Sequence, residues 1–134
     1  MTPTEAQNAL VNHFSTWVLD LNLTVSEVDE SHVLTRMPVT GRLERVGGMV
    51  SGQALSALAD TSMILALAGH VGDFVPAATT DLHVQFLRPG TGSAILCRAH
   101  VARLGRSLAF ARAEMMAEET EKTVALASAT LALP

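Results

Sequence analysis

With 134 residues the chain has room for one core and too little for two, so a single domain over residues 1–134 is expected. Hydrophobic residues make up 49% and charged residues 16%, below the usual charged share of about a quarter; this leaves an unusually apolar surface and points to self-association. The net charge of -4 and nine scattered basic residues give no electrostatic basis for nucleic-acid binding.

A single cysteine, Cys97, excludes an internal disulfide and suits a buried thiol in a cytoplasmic protein. The five histidines show no metal-ligand spacing, so neither a metal nor a resident cofactor is expected. The N-terminal MTPTEAQNALVNHF lacks the basic flank and apolar centre of a signal peptide. The longest apolar run, Met63 to Ala68, is far shorter than a membrane span of about 20 residues, so no membrane association is expected.

In chain order, apolar residues at Ala6, Leu10, Phe14, Trp17 and Val18 predict an amphipathic helix from Thr4, as N-cap, to Leu19. Residues 21–28 and 32–39 alternate loosely around Asp29-Glu30-Ser31 and predict a hairpin. Residues 42–50 form a loop or ragged strand. A second helix starts after Ser51 as N-cap and ends at Gly69. It is apolar almost all round, hence buried on most sides, and rich in small residues that permit close packing.

Four strands follow. The first covers 81–86, where Asp81, His83 and Gln85 alternate with Leu82, Val84 and Phe86. The others cover 93–104, 108–117 and 122–133, with a solvated turn at Glu118 to Glu121. Short turns between strands imply antiparallel pairing, and the whole an α+β fold in which one curved sheet wraps a central helix.

On the second helix Gln53, Ser56 and Asp60 stand three and four residues apart and share one face. A carboxylate on such a helix requires a partner or a site that holds water or ligand. Asp60 serves either as a structural acid or as a general base or nucleophile in an apolar cleft. Gly52, at the helix start, exposes backbone N–H groups and the positive dipole end to a developing oxyanion, and its missing side chain lets a carbonyl approach. Gly52 and Asp60 are about 12 Å apart along one helix, too far to serve one carbonyl. Two helices laid antiparallel would bring Gly52 of one subunit to Asp60 of another.

From about Arg42 onward the chain resembles the hotdog-fold acyl-CoA thioesterases, in particular the phenylacetate-degradation (PaaI-like) subgroup. That pattern is a His-Gly-Gly step, a short apolar spacer, Leu-Ala-Asp-Thr and a later Leu-Arg-Pro. The counterparts are Ser51-Gly52-Gln53, Ala54 to Ala57, Leu58-Ala59-Asp60-Thr61 and Phe86-Leu87-Arg88-Pro89. The resemblance implies a hotdog fold and hydrolysis of an acyl-CoA to free acid and CoA, with coenzyme A entering only as part of the substrate. Asp60 then activates water or attacks the thioester, Gly52 polarises its carbonyl, and Thr79 helps hold the attacking water.

Ser51 and Gln53 stand in place of a histidine and a glycine. Arg45 replaces a frequent amide, where it either polarises the carbonyl or neutralises Asp60. Ser51, Gln53 and Ser56 count as substrate-binding candidates, and Arg88, Arg103, Arg106 and Ser107, in inter-strand turns, are candidates for binding the CoA phosphates. A homodimer, pairing again into a tetramer, is expected. The competing readings are an acyl-thioester-binding protein without turnover and, last, a hotdog dehydratase.

Overall fold

The computed structural model describes all 134 residues. The first helix, α1, covers Pro3–His13, and its N-cap is Thr2, whose Oγ1 accepts from the Glu5 N–H at 3.1 Å. The expected single helix from Thr4 to Leu19 is therefore corrected at both ends. Phe14 and Ser15 adopt extended backbone, and only a single turn, α2 (Thr16–Leu19), follows. The extended Phe14–Ser15 step interrupts the helix, and the turn that follows carries no side-chain cap bond from Ser15. The restart leaves Trp17 59% exposed although Val18 stays buried.

Strands β1 (Thr24–Val28) and β2 (Val33–Pro38) form the expected antiparallel hairpin. Its turn is built on Asp29, whose Oδ1 accepts from the Ser31 N–H at 2.8 Å, the Ser31 hydroxyl at 2.6 Å and the His32 N–H at 3.0 Å. These bonds favour the ionised carboxylate and lower its pKa to about 2 from 3.8, the Ser31 hydroxyl contributing most. A depressed carboxylate stabilises the fold above its unfolded pKa and loses that contribution as pH falls toward the folded value. Thermal unfolding of Asp29→Ala beside the wild type should thus show the full Tm gap above about pH 4, closing toward pH 2.

A short 3-10 turn (Gly41–Leu43) leads into the two-residue strands β3 (Glu44–Arg45) and β4 (Met49–Val50), joined through Gly47 and Gly48 at φ 106° and 76°. The central helix α3 covers Gly52–Val71. Ser51 caps it as expected, its Oγ accepting from the Ala54 N–H at 3.2 Å. Its end differs from the expectation. The left-handed C-terminal residue is Gly72, at φ 95°, and Gly69 lies inside the helix. Gly69 is needed for another reason: a Cβ there would stand 2.7 Å from Val28 Cγ2 and 2.8 Å from the Asp29 carbonyl oxygen, so the hairpin rests directly on the helix backbone.

The remaining strands are β5 (Ala78–Phe86), β6 (Ala94–Leu104), β7 (Leu108–Ala117) and β8 (Thr123–Ala132). All pairings are antiparallel in the six-stranded order β1-β2-β6-β7-β8-β5. After β5 the chain therefore crosses to the middle of the sheet, and β5 becomes an edge. Alternate residues of β7 and β8, among them Ala109, Ala111, Ala113, Ala125, Ala127 and Ala129, face α3; such small side chains let the helix lie close, and they form one core with Leu58, Met63, Leu65 and Leu67.

This is the antiparallel sheet around a central helix of the hotdog fold. By length and composition α3 is apolar enough to cross a membrane, but most of it is buried within the fold.

Two polar groups tie the framework together. Thr35, Ser62 and Cys97 cluster in the core, with Thr35 Oγ1 2.7 Å from Ser62 Oγ; burial pushes the Cys97 thiol up to about 12, which makes it unreactive. The expected solvated turn at Glu118 to Glu121 is corrected at its start. Glu118 is half-buried and accepts from Arg36 Nε at 2.7 Å and Nη2 at 3.2 Å, while Glu119 accepts from the Ser93 N–H and hydroxyl.

Candidate active site

The stripe predicted on α3 is its uncovered side. Gln53 is exposed, and Ser56, Ala57, Asp60 and Ile64 are half-buried, while twelve other residues of the helix are buried. Asp60 meets neither Arg45 nor any other cation: no ion pair forms on it within the chain. Its partner is Thr79 on β5, whose Oγ1 donates to Oδ1 at 2.7 Å. Helix and edge strand, 19 residues apart in sequence, thus hold one carboxylate oxygen and leave the other without a hydrogen-bond partner in the chain.

Gly52 borders a different recess, a cleft of about 420 Å³ whose walls include Arg45, Met49, Leu55, Phe86 and Arg88. The ring of Phe86 lies against it, and a Cβ at position 52 would approach Phe86 Cζ to 3.2 Å. Ser51 is engaged as the cap, yet the N–H groups of Gly52 and Gln53 find no acceptor in the chain. The helix start therefore presents two unused donors at its positive dipole end. Arg45 Nη1 donates to the Val46 carbonyl at 2.8 Å, so its guanidinium folds onto its own turn at the mouth of this cleft. The alternative in which Arg45 neutralises Asp60 is not realised within one chain.

The candidate CoA-binding residues fall into two groups. Arg88 follows the Phe86 end of β5 and lines the Gly52 cleft. Arg103, Arg106 and Ser107 are exposed around the β6–β7 turn. That turn lies at the other end of β5, since Leu108 pairs with Ala132 and Ala132 with Ala78. Gln53 and Ser51 border a third recess of about 260 Å³ together with Trp17 and Arg42. His83 lies on the outer face of the sheet, in a hollow of about 550 Å³ with Arg98, His100 and Arg112, away from Asp60.

A further recess escapes the sequence reading. About 340 Å³ in volume, it is lined by His13, Phe14, Ser15, Ile64, Phe74, Pro76 and Ala77. Three separate segments build it, so no local pattern marks it. Its only sequence signal is that Ile64 continues the Gln53–Asp60 stripe by one turn.

Comparison with known proteins agrees with this architecture. A protein of Thermoplasma acidophilum that carries the name of an esterase is 28% identical over 92 residues, which cover 68% of each protein. The Haemophilus influenzae thioesterase HI1161 superposes with a TM-score of 0.88 at 24% identity, over 100% of this chain and 91% of that one. The Escherichia coli PaaI protein of the phenylacetic acid degradation operon gives 0.84 at 23%, over 100% and 96%. The family model described as the thioesterase superfamily matches residues 47–124, more than half of the chain and the part that contains Gly52, Asp60 and Thr79. The chain belongs to the thioesterase superfamily.

Proposed function

We propose that this thioester hydrolase acts on acyl-CoA, and that each active site combines Asp60 and Thr79 of one copy with Gly52 of a second. The observation that carries the reading is the arrangement along β5. Gly52 sits against Phe86 at one end of that strand and Asp60 is bound to Thr79 at the other. The strand is an open edge of nine residues with Leu82 38% and Phe86 53% exposed. Such an edge favours pairing with another chain. If two β5 strands pair antiparallel about their middle, their ends exchange, and Gly52 of each copy comes to Asp60 of the other. The same exchange brings Arg88 of one copy toward Arg103 and Arg106 of the other, so both arginine groups border one site.

In that site the thioester carbonyl oxygen accepts from the N–H of Gly52, with the neighbouring Gln53 N–H as a second donor. As the carbonyl carbon becomes tetrahedral, its negative charge falls at the helix dipole's positive end. Asp60 either takes the proton of an attacking water, or itself bonds the carbonyl carbon to form a mixed anhydride that water then cleaves to the free acid; in both the C–S bond breaks and the CoA thiolate leaves. Thr79 is a positioning residue, fixing the carboxylate through Oδ1. Arg45 and Arg88 flank the cleft through which the CoA moiety would pass, where arginine suits phosphate.

The test is thiol release from a panel of acyl-CoAs of different length and shape. The account expects turnover of at least one member. Saturable acyl-CoA binding without thiol release would replace it with a sequestering role.

A further inference from the structure

We propose that the stacked pair His13–Phe74 forms the end wall of the acyl pocket and sets the longest acyl chain the site accepts; this rests on the thioesterase reading above. One recess is bordered by Gly52, another begins at Ile64 one helical turn past Asp60, and their chemistry differs. The Gly52 cleft carries Arg45 and Arg88 and suits the charged carrier. The recess beyond Asp60 has no arginine or lysine; its lining is largely apolar, with Phe14, Ile64, Phe74, Pro76 and Ala77 beside His13 and Ser15, and it suits the acyl group.

Its near end is fixed by the site. Ile64 is one helical turn past Asp60, and Ala77 lies two residues before Thr79. Its far end follows from the chain path: α3 runs on to Val71, turns at Gly72, and returns through Phe74 and Pro76 toward Thr79. At that far end the imidazole of His13, the last residue of α1, lies flat on Phe74, with ring centroids 3.9 Å apart and planes 3° from parallel. Phe14 meets Phe74 edge-on at 6.4 Å. A chain growing from the thioester carbon along the recess would therefore meet a double-ring wall supplied by the N-terminal helix.

The experiment measures binding of S-alkyl-CoA thioethers, which cannot be hydrolysed, as a function of alkyl length for the wild type, Phe74→Ala and His13→Ala. Within the pocket each methylene should tighten binding by about fourfold, with a break at the length where the wall is reached. Both variants should move that break by roughly two methylenes or more and leave the shortest ligands within about twofold. An unmoved break in both variants would overturn the proposal, as would uniform weakening at every length. Should Phe74→Ala unfold, His13→Ala, at an exposed helix end, decides alone. The two readings fail separately: a wild-type break that moves without any thiol release from acyl-CoA sinks the enzyme, and thiol release with an unmoved break sinks the wall.

Discussion

Asp60→Asn is expected to lower kcat for the proposed acyl-CoA hydrolysis by about a thousandfold, inside the 10²–10⁴ range for loss of a positioned base. The substitution keeps shape and fold: an asparagine carbonyl can still accept the Thr79 hydroxyl that Asp60 Oδ1 accepts at 2.7 Å, and no ion pair on Asp60 is broken. In the proposed mechanism the carboxylate serves the reacting carbonyl and not the CoA moiety, so KM should stay within about threefold. Thr79→Val should cost less, about tenfold, since it removes the group that orients the carboxylate and leaves the carboxylate itself. Thiol-release kinetics with unchanged thermal unfolding would check both. Full activity in folded Asp60→Asn would exclude Asp60 from the chemistry.

Gly69→Ala is expected to destabilise the fold although it adds a single carbon within a helix. In an exposed helix the replacement would stabilise by up to about 1 kcal/mol through propensity. Here the new methyl would lie 2.7 Å from Val28 Cγ2 and 2.8 Å from the Asp29 carbonyl oxygen. The Val28 side chain has some freedom, but the Asp29 carbonyl belongs to the turn held by Ser31 and His32, so yielding there disturbs the hairpin. Overpacking of this kind costs about 1–3 kcal/mol, outweighs the propensity gain, and should lower Tm by roughly 5–10 °C. Gly41→Ala, whose added Cβ has nothing within 4 Å, serves as the control and should stay within about 0.5 kcal/mol of wild type. A raised Tm for Gly69→Ala would mean that the hairpin does not bear on the helix.

The same glycine shows where local reading ends. Its position after an apolar helical run is the ordinary stop signal, but the cause of the glycine is the hairpin packed on it, and the helix continues to Val71. The start of α3 was legible because a cap is local: Ser51 and the Ala54 N–H are three residues apart. The polar stripe was legible too, since spacing of three and four fixes a helix face whatever lies opposite. The partner of Asp60 required the fold, because Thr79 reaches it only after β5 is laid along the sheet edge next to β8. The first helix followed its apolar period as far as His13, where an extended Phe14-Ser15 step ended it and a separate turn began at Thr16. Strand boundaries held within a few residues because inward alanines alternate clearly along β7 and β8.

The shared site is tested most directly by mixing two inactive variants. Gly52→Val fills the space beside Phe86 and blocks approach to the helix N–H groups, and Asp60→Asn removes the base. When the two are unfolded together in equal amounts and refolded, half of the dimers should pair one variant with the other. In each such dimer one site receives Asp60 from the first chain and Gly52 from the second, both intact. The account predicts recovery of about one quarter of wild-type activity from two inactive parents. Activity no higher than that of the parents, with mixed dimers demonstrated by mass spectrometry, would place Gly52 and Asp60 in the same subunit's site and contradict it.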